Sequence, residues 1–458
     1  MRVHILGVCG TFMGGIAAIA KSAGHEVSGA DQNVYPPMST QLRELGIKVV
    51  EGYDLSVDAD VDSVVVGNAL SRGKPVVEAL LDSGRPYCSG PQWLAEHVLR
   101  DKWVLAVSGT HGKTTTTSML AWILEYAGLA PGFLVGGIPS NFGISARLGG
   151  SPYFVVEADE YDTAFFDKRA KFVHYRPRTL IINNIEYDHA DIYADVDAIL
   201  WQFHQLLRTV PRNGLIVANG KDENIARLLK RGVWTPLATF SASERAARWF
   251  GCYDSIGAES RFSIFETGAV RGTGRWSLFG QHNLENALAA IAAAGHVGVT
   301  TEVALAALAE FKGVKRRLEH RGTFGGIGLY EDFAHHPTAI ATTLAGLKSR
   351  APGQRIVAVM EPRSNTMRMG VHRDTLHGSF ALADRVFVLG ATDLGWDPAE
   401  TLAPLGARLV VSTDVQTLLE RLLAELMPGD QVVLMSNGSF QGLPALLQRA
   451  LENRAATS

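Results

Sequence analysis

Trp103-Val104-Leu105-Ala106-Val107-Ser108-Gly109-Thr110-His111-Gly112-Lys113-Thr114-Thr115 runs from an apolar stretch into a loop with two glycines, then a lysine and threonines. The apolar stretch predicts a buried strand, and the residues beyond the loop predict the start of a helix. A loop in that position turns backbone N–H groups and a helix amino terminus toward phosphate oxygens. Lys113 adds a mobile positive charge, and the Thr114 hydroxyl is a ligand type that suits Mg²⁺. Gly109, Thr110, His111, Gly112, Lys113, Thr114 and Thr115 are therefore the candidate phosphate loop. Val107 stands where the longer GxxxxGK[ST] pattern has its first glycine. A tight turn with a chance lysine is the bland alternative, and the order strand, loop, helix weighs against it.

Working outward, two acidic clusters follow predicted strands. Glu157-Ala158-Asp159-Glu160 closes the apolar run at 153–157, and Asn184-Ile185-Glu186-Tyr187-Asp188-His189 follows the run at 179–184. Carboxylates at strand ends beside a phosphate loop suit a hard cation. Taken alone, either cluster is equally well a solvated loop. Asn283 and Asn286 lie three apart at a helix start within Gly280–Ala287, where their amides could read a purine edge or one could simply cap the helix.

Repeated strand–helix alternation extends both ways. Upstream are strands at 2–8, 26–30 (ending at Asp31) and 61–70, with a glycine turn at 10–15. Downstream are a strand at 214–218, a small antiparallel insert over 232–278 and a helix at 284–294. Beyond Lys315-Arg316-Arg317, strands are expected at 327–332, 355–360, 385–389 and 431–436. The expected class is α/β with parallel sheets, in three domains spanning 1–98, 99–313 and 314–458.

Composition narrows the function classes. The chain has 458 residues, long enough for about three domains of ordinary size. Its 43 Lys and Arg against 46 Asp and Glu leave a formal charge of −3 without like-charge blocks, which argues against nucleic acid and membrane surfaces as partners. The cysteines, Cys9, Cys88 and Cys252, lie far apart and support neither a disulfide framework nor a cysteine-rich zinc site. Without a signal-type segment or a long apolar run, the cytoplasm is the expected location. Oligomeric state has no sequence signal here.

GTHGKTTT, EADE, NIEYDHAD, GQHNLENALAA, KRRLE and YEDFAHHP occur in the order found across the Mur ligase family, which the whole chain resembles. The resemblance implies ATP-dependent amide formation in peptidoglycan metabolism, with ATP and Mg²⁺ as cofactors. It also implies a Rossmann-like UDP-binding domain, a central P-loop ATPase domain and a Rossmann-like carboxyl-terminal domain. Carried over by position, Lys113, Glu157 and His189 are the catalytic set. Thr114 is the metal ligand for a first Mg²⁺, Glu157 and His189 are those for a second, and Asn141 lies near the γ-phosphate. Asn283 and Asn286 meet adenine, Arg317 a phosphate and Asp332 ribose, with His335 contributing from the closing domain. Gly10, Thr11, Phe12, Met13, Asp31, Asn68 and Ser71 align with the UDP-sugar pocket. GVCGTFMGG and EPRSNTMRMG further resemble the branch that joins a preformed tripeptide, L-alanyl-γ-D-glutamyl-meso-diaminopimelate, to UDP-N-acetylmuramate, with Arg363 and Arg368 for the peptide carboxylates. The alternative within the family is addition of free L-alanine.

Some family members carry a carbamylated lysine where this chain has Phe203, so no carbamate is expected. His335-His336 lacks a third ligand at zinc spacing. Cys9 is read as a small packed residue. A nicotinamide dehydrogenase is disfavoured because Gly7-Val8-Cys9-Gly10 lacks the GxGxxG order. A non-enzymatic nucleotide switch is disfavoured by the second acidic cluster and the extra sugar-nucleotide domain.

Overall fold

A computed structural model describes residues 1–34, 38–53, 60–257, 259–391 and 393–457. Among the described residues, three large sheets follow one another along the chain, with a two-stranded hairpin of Asp162–Ala164 and Asp167–Ala170 beside them. The first holds five parallel strands in the order Lys48–Glu51, Glu26–Asp31, Arg2–Leu6, Ser63–Val66, Tyr87–Ser89. Ser63–Val66 is a β-branched run buried along most of its length, as expected for a strand covered on both faces.

The second sheet has ten strands. Its parallel centre places Trp103–Ser108 between Thr179–Ile182 and Tyr153–Ala158, which decides what meets the phosphate loop. The expected antiparallel insert is present as Trp249–Ser255, Ser260–Glu266 and Ala269–Trp276. It is no separate sheet, because Leu237–Ser241 pairs in parallel with both Leu215–Asn219 and Trp249–Ser255 and carries the ladder through. One face is covered by the helices Lys113–Tyr126 and Gln281–Gly295, whose leucines, isoleucines and alanines share a core with Val107, Val155 and Ile181.

The third sheet orders Glu319–Phe324, Ile327–Asp332, Gln431–Met435, Ile356–Met360, Arg385–Leu389 and Leu409–Ser412, parallel except for the first hairpin. Four of these were expected; the first and last edge strands were not. The first and second sheets share a core: a Cβ on Gly15 of the helix Thr11–Ser22 would stand 2.3 Å from Leu134 Cδ1 and 3.2 Å from Ala146 Cβ, so a side chain there would push Leu134 aside. Among the described residues, no helix is long and apolar enough to cross a membrane.

Candidate active site

The carboxyl ends of three adjacent parallel strands deliver the three motifs to one crevice. Ser108 leads into the phosphate loop, Ala158 into Asp159-Glu160, and Ile182 into Asn183-Asn184-Ile185-Glu186. Thr110 N–H donates to the Asn184 carbonyl at 3.0 Å and His111 N–H to Asn184 Oδ1 at 2.7 Å. Gly112 caps the helix with φ +79, and a Cβ there would lie 2.6 Å from Asn286 Oδ1. The left-handed turn and the missing side chain are thus both required.

Lys113 is buried and folds back onto Gly109 O at 2.6 Å, Glu160 Oε2 at 2.8 Å and Asp159 Oδ1 at 3.3 Å. Burial opposes its charge, but Glu160 and Asp159 outweigh burial and hold its pKa above the ordinary lysine value. Glu160 also faces His189 Nε2 at 3.3 Å and stays ionised despite burial because Lys113 and His189 stabilise its charge. His189 is correspondingly raised: burial lowers its pKa, and its hydrogen bond to Glu160 more than compensates.

Glu157 occupies the other side. It accepts from Thr114 Oγ1 at 2.8 Å and Gly136 N–H at 2.6 Å, while Arg317 donates to the same Thr114 hydroxyl at 2.9 Å. Burial, then the charge of Asp159, pushes the Glu157 carboxyl up. A threonine hydroxyl and carboxylates are oxygen donors that fit Mg²⁺, and an ammonium, a guanidinium and an imidazole now neutralise them. His189 is paired with Glu160 rather than Glu157. Glu160 lies in the acidic cluster read from the sequence but has no role of its own in that reading; it is the third carboxylate of Glu157-Ala158-Asp159-Glu160.

Other predicted residues have specific partners. The Asn141 amide is used by Glu310 O at 2.9 Å and Lys312 N–H at 2.8 Å, pinning its loop to the chain entering the third region. Asn286 accepts from Thr116 Oγ1 at 3.0 Å directly beneath the phosphate loop, and Asn283 donates to Phe279 O at 2.8 Å. Asp332 accepts from the N–H groups of Leu318 and Ala334, each at 2.6 Å. His335 Nε2 lies 3.7 Å from Asp188 Oδ2. Asp188 Oδ1 also accepts from Thr366 Oγ1 at 2.8 Å, and Asn365 donates to Asp191 at 2.8 Å, so the short helix Asn365–Arg368 docks on the Asp188 loop. On that third-region side, Arg363 and Arg368 are half exposed; Arg363 faces Glu361 at 3.6 Å and Arg368 pairs with Asp393.

In the first region Gly10 precedes the helix carrying Thr11, Phe12 and Met13, and Asp31 accepts from Cys9 N–H at 2.9 Å and Asn33 N–H at 3.0 Å. Asn68 and Ser71 are exposed beyond the strand Ser63–Val66. Phe203 is fully buried, 5.0 Å from the Phe172 ring centroid, so the position of the family lysine is core here. The two neighbouring histidines part company: His336 lies beside His111 and Glu186, residues far away in the chain, while His335 faces Asp188.

Family patterns match in the same order as the sheets. Residues 2–102 match the catalytic domain of the Mur ligase family, 107–294 the Mur ligase middle domain and 316–438 the Mur ligase glutamate ligase domain. The chain is 51% identical over 444 residues to the UDP-N-acetylmuramate–L-alanyl-γ-D-glutamyl-meso-2,6-diaminoheptandioate ligase of Haemophilus influenzae, covering 96% of this chain and 97% of that one. It is 50% identical over 457 residues to the ligase of the same name from Escherichia coli, covering 99% of each. The crystal structure of a murein peptide ligase from Psychrobacter arcticus superposes with a TM-score of 0.75 at 45% identity, covering 99% of both chains. With three domain patterns in register and half of all residues shared across its length, this chain belongs to the Mur ligase family.

Proposed function

We propose that this protein is the ATP-dependent ligase that joins UDP-N-acetylmuramate to L-alanyl-γ-D-glutamyl-meso-diaminopimelate, returning murein peptides to the precursor pool. The observation that carries the reading is the convergence of Lys113, Thr114, Glu157, Glu160 and His189 on one crevice.

A carboxylate is too poor an electrophile to form an amide directly. Its oxygen attacks the γ-phosphorus of ATP, ADP departs, and the resulting acyl phosphate is attacked by the tripeptide α-amine. Phosphate leaves as the C–N bond forms, and the amine proton passes to a basic group of the site. With Asn184 holding the Thr110 and His111 N–H groups, the helix start at Gly112 to Thr115 directs its backbone N–H groups at the triphosphate, and Lys113 exchanges its carboxylate partners for phosphate oxygens. Thr114 would hold a first Mg²⁺ and Glu157 and His189 a second, whose positive charge would draw electron density off the phosphoryl oxygens. Asn141 and Arg317 approach the phosphates, Asn283, Asn286, Asp332 and His335 hold the nucleoside, and Gly10 to Met13 with Asp31, Asn68 and Ser71 hold the UDP-sugar. The docked helix Asn365–Arg368 brings the third region over the crevice, where it excludes water from the acyl phosphate.

The tripeptide spreads several carboxylates away from its amine, so remote binding to Arg363 and Arg368 can align that amine. The test is kcat/KM for tripeptide against free L-alanine with the same UDP-sugar, with ADP and phosphate as products. Preference for the tripeptide is expected. Preference for L-alanine, or release of AMP and pyrophosphate, overturns the reading.

A further inference from the structure

Lys113 is buried among carboxylates, and a second lysine of the same region, Lys171, is buried without one. Lys171 opens the short turn Lys171–His174 that follows the hairpin of Asp162–Ala164 and Asp167–Ala170, and it is only 6% exposed. Its backbone is fixed on both sides. Its own N–H donates to Tyr161 O at 2.9 Å, and the preceding Ala170 N–H donates to Gln202 Oε1 at 3.1 Å. The ammonium sits between two aromatic rings, 5.0 Å from the Phe12 centroid and 5.3 Å from the Tyr161 centroid. Among the described residues these rings are its direct partners, and no carboxylate comes within ion-pair distance of Nζ. Tyr161 in turn lies against His189, with ring centroids 4.1 Å apart. Lys171 therefore reaches from the edge of the catalytic centre to the start of the first-region helix.

We propose that Lys171 binds the diphosphate of the UDP-sugar, supplying from the second region the positive charge that the first-region helix terminus lacks; the assignment rests on reading the first region as the UDP-sugar pocket. The N–H groups of Thr11, Phe12 and Met13 have no acceptor inside their own helix, and Gly10 provides no side-chain cap. Gly10 and Thr11 are exposed, and no acidic residue occupies the first turn, so this terminus is open to an anion. Residues 7–15 include no lysine or arginine that could complete the charge. The Lys171 ammonium, seated over the ring of the second residue of that helix, is placed to do so.

The rings alone do not account for a buried ammonium. A cation over an aromatic face recovers only part of what removal from water costs, and the remainder calls for an anion or for acceptors of its three N–H donors. The two buried lysines show the difference. Glu160 and Asp159 hold the Lys113 pKa above the ordinary lysine value, whereas burial pulls that of Lys171 below it, against the weaker pull of Asp159, Asp162 and Glu160. Of the two kinds of anionic group on the substrate, the reacting carboxylate must meet the phosphate loop beside Lys113. That leaves the diphosphate for a lysine seated on the first-region helix.

The experiment measures UDP binding to the full chain by titration calorimetry, in wild type, Lys171→Met and Lys171→Gln. Methionine keeps a buried stem without the charge, glutamine is a second neutral variant with a polar end, and circular dichroism checks that each is folded. Kd for UDP should rise at least about 10-fold in both variants, as for loss of a charge-assisted hydrogen bond. Uridine, measured in competition with UDP, should keep its wild-type affinity. Equal UDP affinity in wild type and both variants overturns the proposal, and so does an equal loss for uridine, which would mark a damaged pocket. A loss with UDP-N-acetylmuramate but none with UDP also overturns it, because Lys171 would then serve the carboxylate. A wild type that does not bind UDP overturns the UDP-sugar reading of the first region itself, and this assignment with it.

Discussion

The chain builds a strand, a glycine turn and a helix twice, and the two turns serve different ends. At the first, Gly10 precedes Thr11–Ser22 with an ordinary φ of −69, and the loop is held by the Asp31 carboxylate through the Cys9 N–H. At the second, Gly112 precedes Lys113–Tyr126 with φ +79, and the first helical residue is a buried lysine set among carboxylates. Both helix termini offer N–H groups to an anion. Only the second supplies a mobile charge and oxygen donors for a cation. The shared geometry decides where phosphate can rest, and the charges placed around it decide whether that phosphate is merely held or also transferred.

The largest expected effect comes from removing the charge that separates the two turns. Lys113→Ala should lower kcat at least about 100-fold, by analogy with loss of one preorganised stabiliser. It also strands Glu160 and Asp159, so stability should fall by about 3 kcal/mol, as when a buried pair is broken. Pairing it with Glu160→Gln should recover much of the melting temperature and none of the turnover. Wild-type-like turnover in Lys113→Ala would erase the distinction between the turns.

Backbone strain provides the next contrast. Gly112→Ala needs a left-handed alanine whose Cβ meets Asn286 Oδ1 at 2.6 Å and Asn183 Nδ2 at 3.1 Å, so a loss of about 2 kcal/mol is expected by denaturant unfolding. Gly10→Ala places a Cβ 3.7 Å from its nearest neighbour at a φ that any residue adopts, and should stay within about 1 kcal/mol of wild type. Equal losses in the two variants would mean that the turns share one constraint.

The same contrast explains what could be read in advance. Val104 to Val107, Ile356 to Met360 and Val432 to Met435 are continuous apolar runs because both faces of a parallel strand are covered, and such runs stand out in a sequence. Glu319–Phe324, with the sequence EHRGTF, is a half-exposed edge whose pairing comes from the hairpin it forms, and no apolar period announces it. Within the site, Lys113 and Thr114 belong to a contiguous motif. Glu160 meets Lys113 across 47 residues only because Tyr153–Ala158 lies beside Trp103–Ser108, and His336 meets His111 only because the third region docks. Strand order and docking are properties of the assembled sheets, which local spacing does not contain. Asn141 is the converse case: its motif is recognisable, yet its amide is engaged by the 310–312 backbone.

The smallest effect, and the sharpest test of the first turn as a holding device, is expected from Asp31→Asn. Asp31 is buried and each of its oxygens accepts from a different backbone N–H, of Cys9 and of Asn33. An asparagine has the same shape but only one acceptor oxygen, so one N–H loses its partner and meets an amide N–H instead. Leaving one such group unsatisfied costs about 1 kcal/mol, equivalent to about a 5-fold change in an equilibrium constant. If the variant lets the Cys9 turn relax in the free enzyme and the UDP-sugar has to re-order it, that cost falls on binding and is felt equally in the ground state and the transition state. KM for the UDP-sugar should then rise about 5-fold while kcat stays put. A fall in kcat with KM unchanged would show that the first turn also positions the carboxylate for transfer, and the division of labour between the two turns would have to be redrawn.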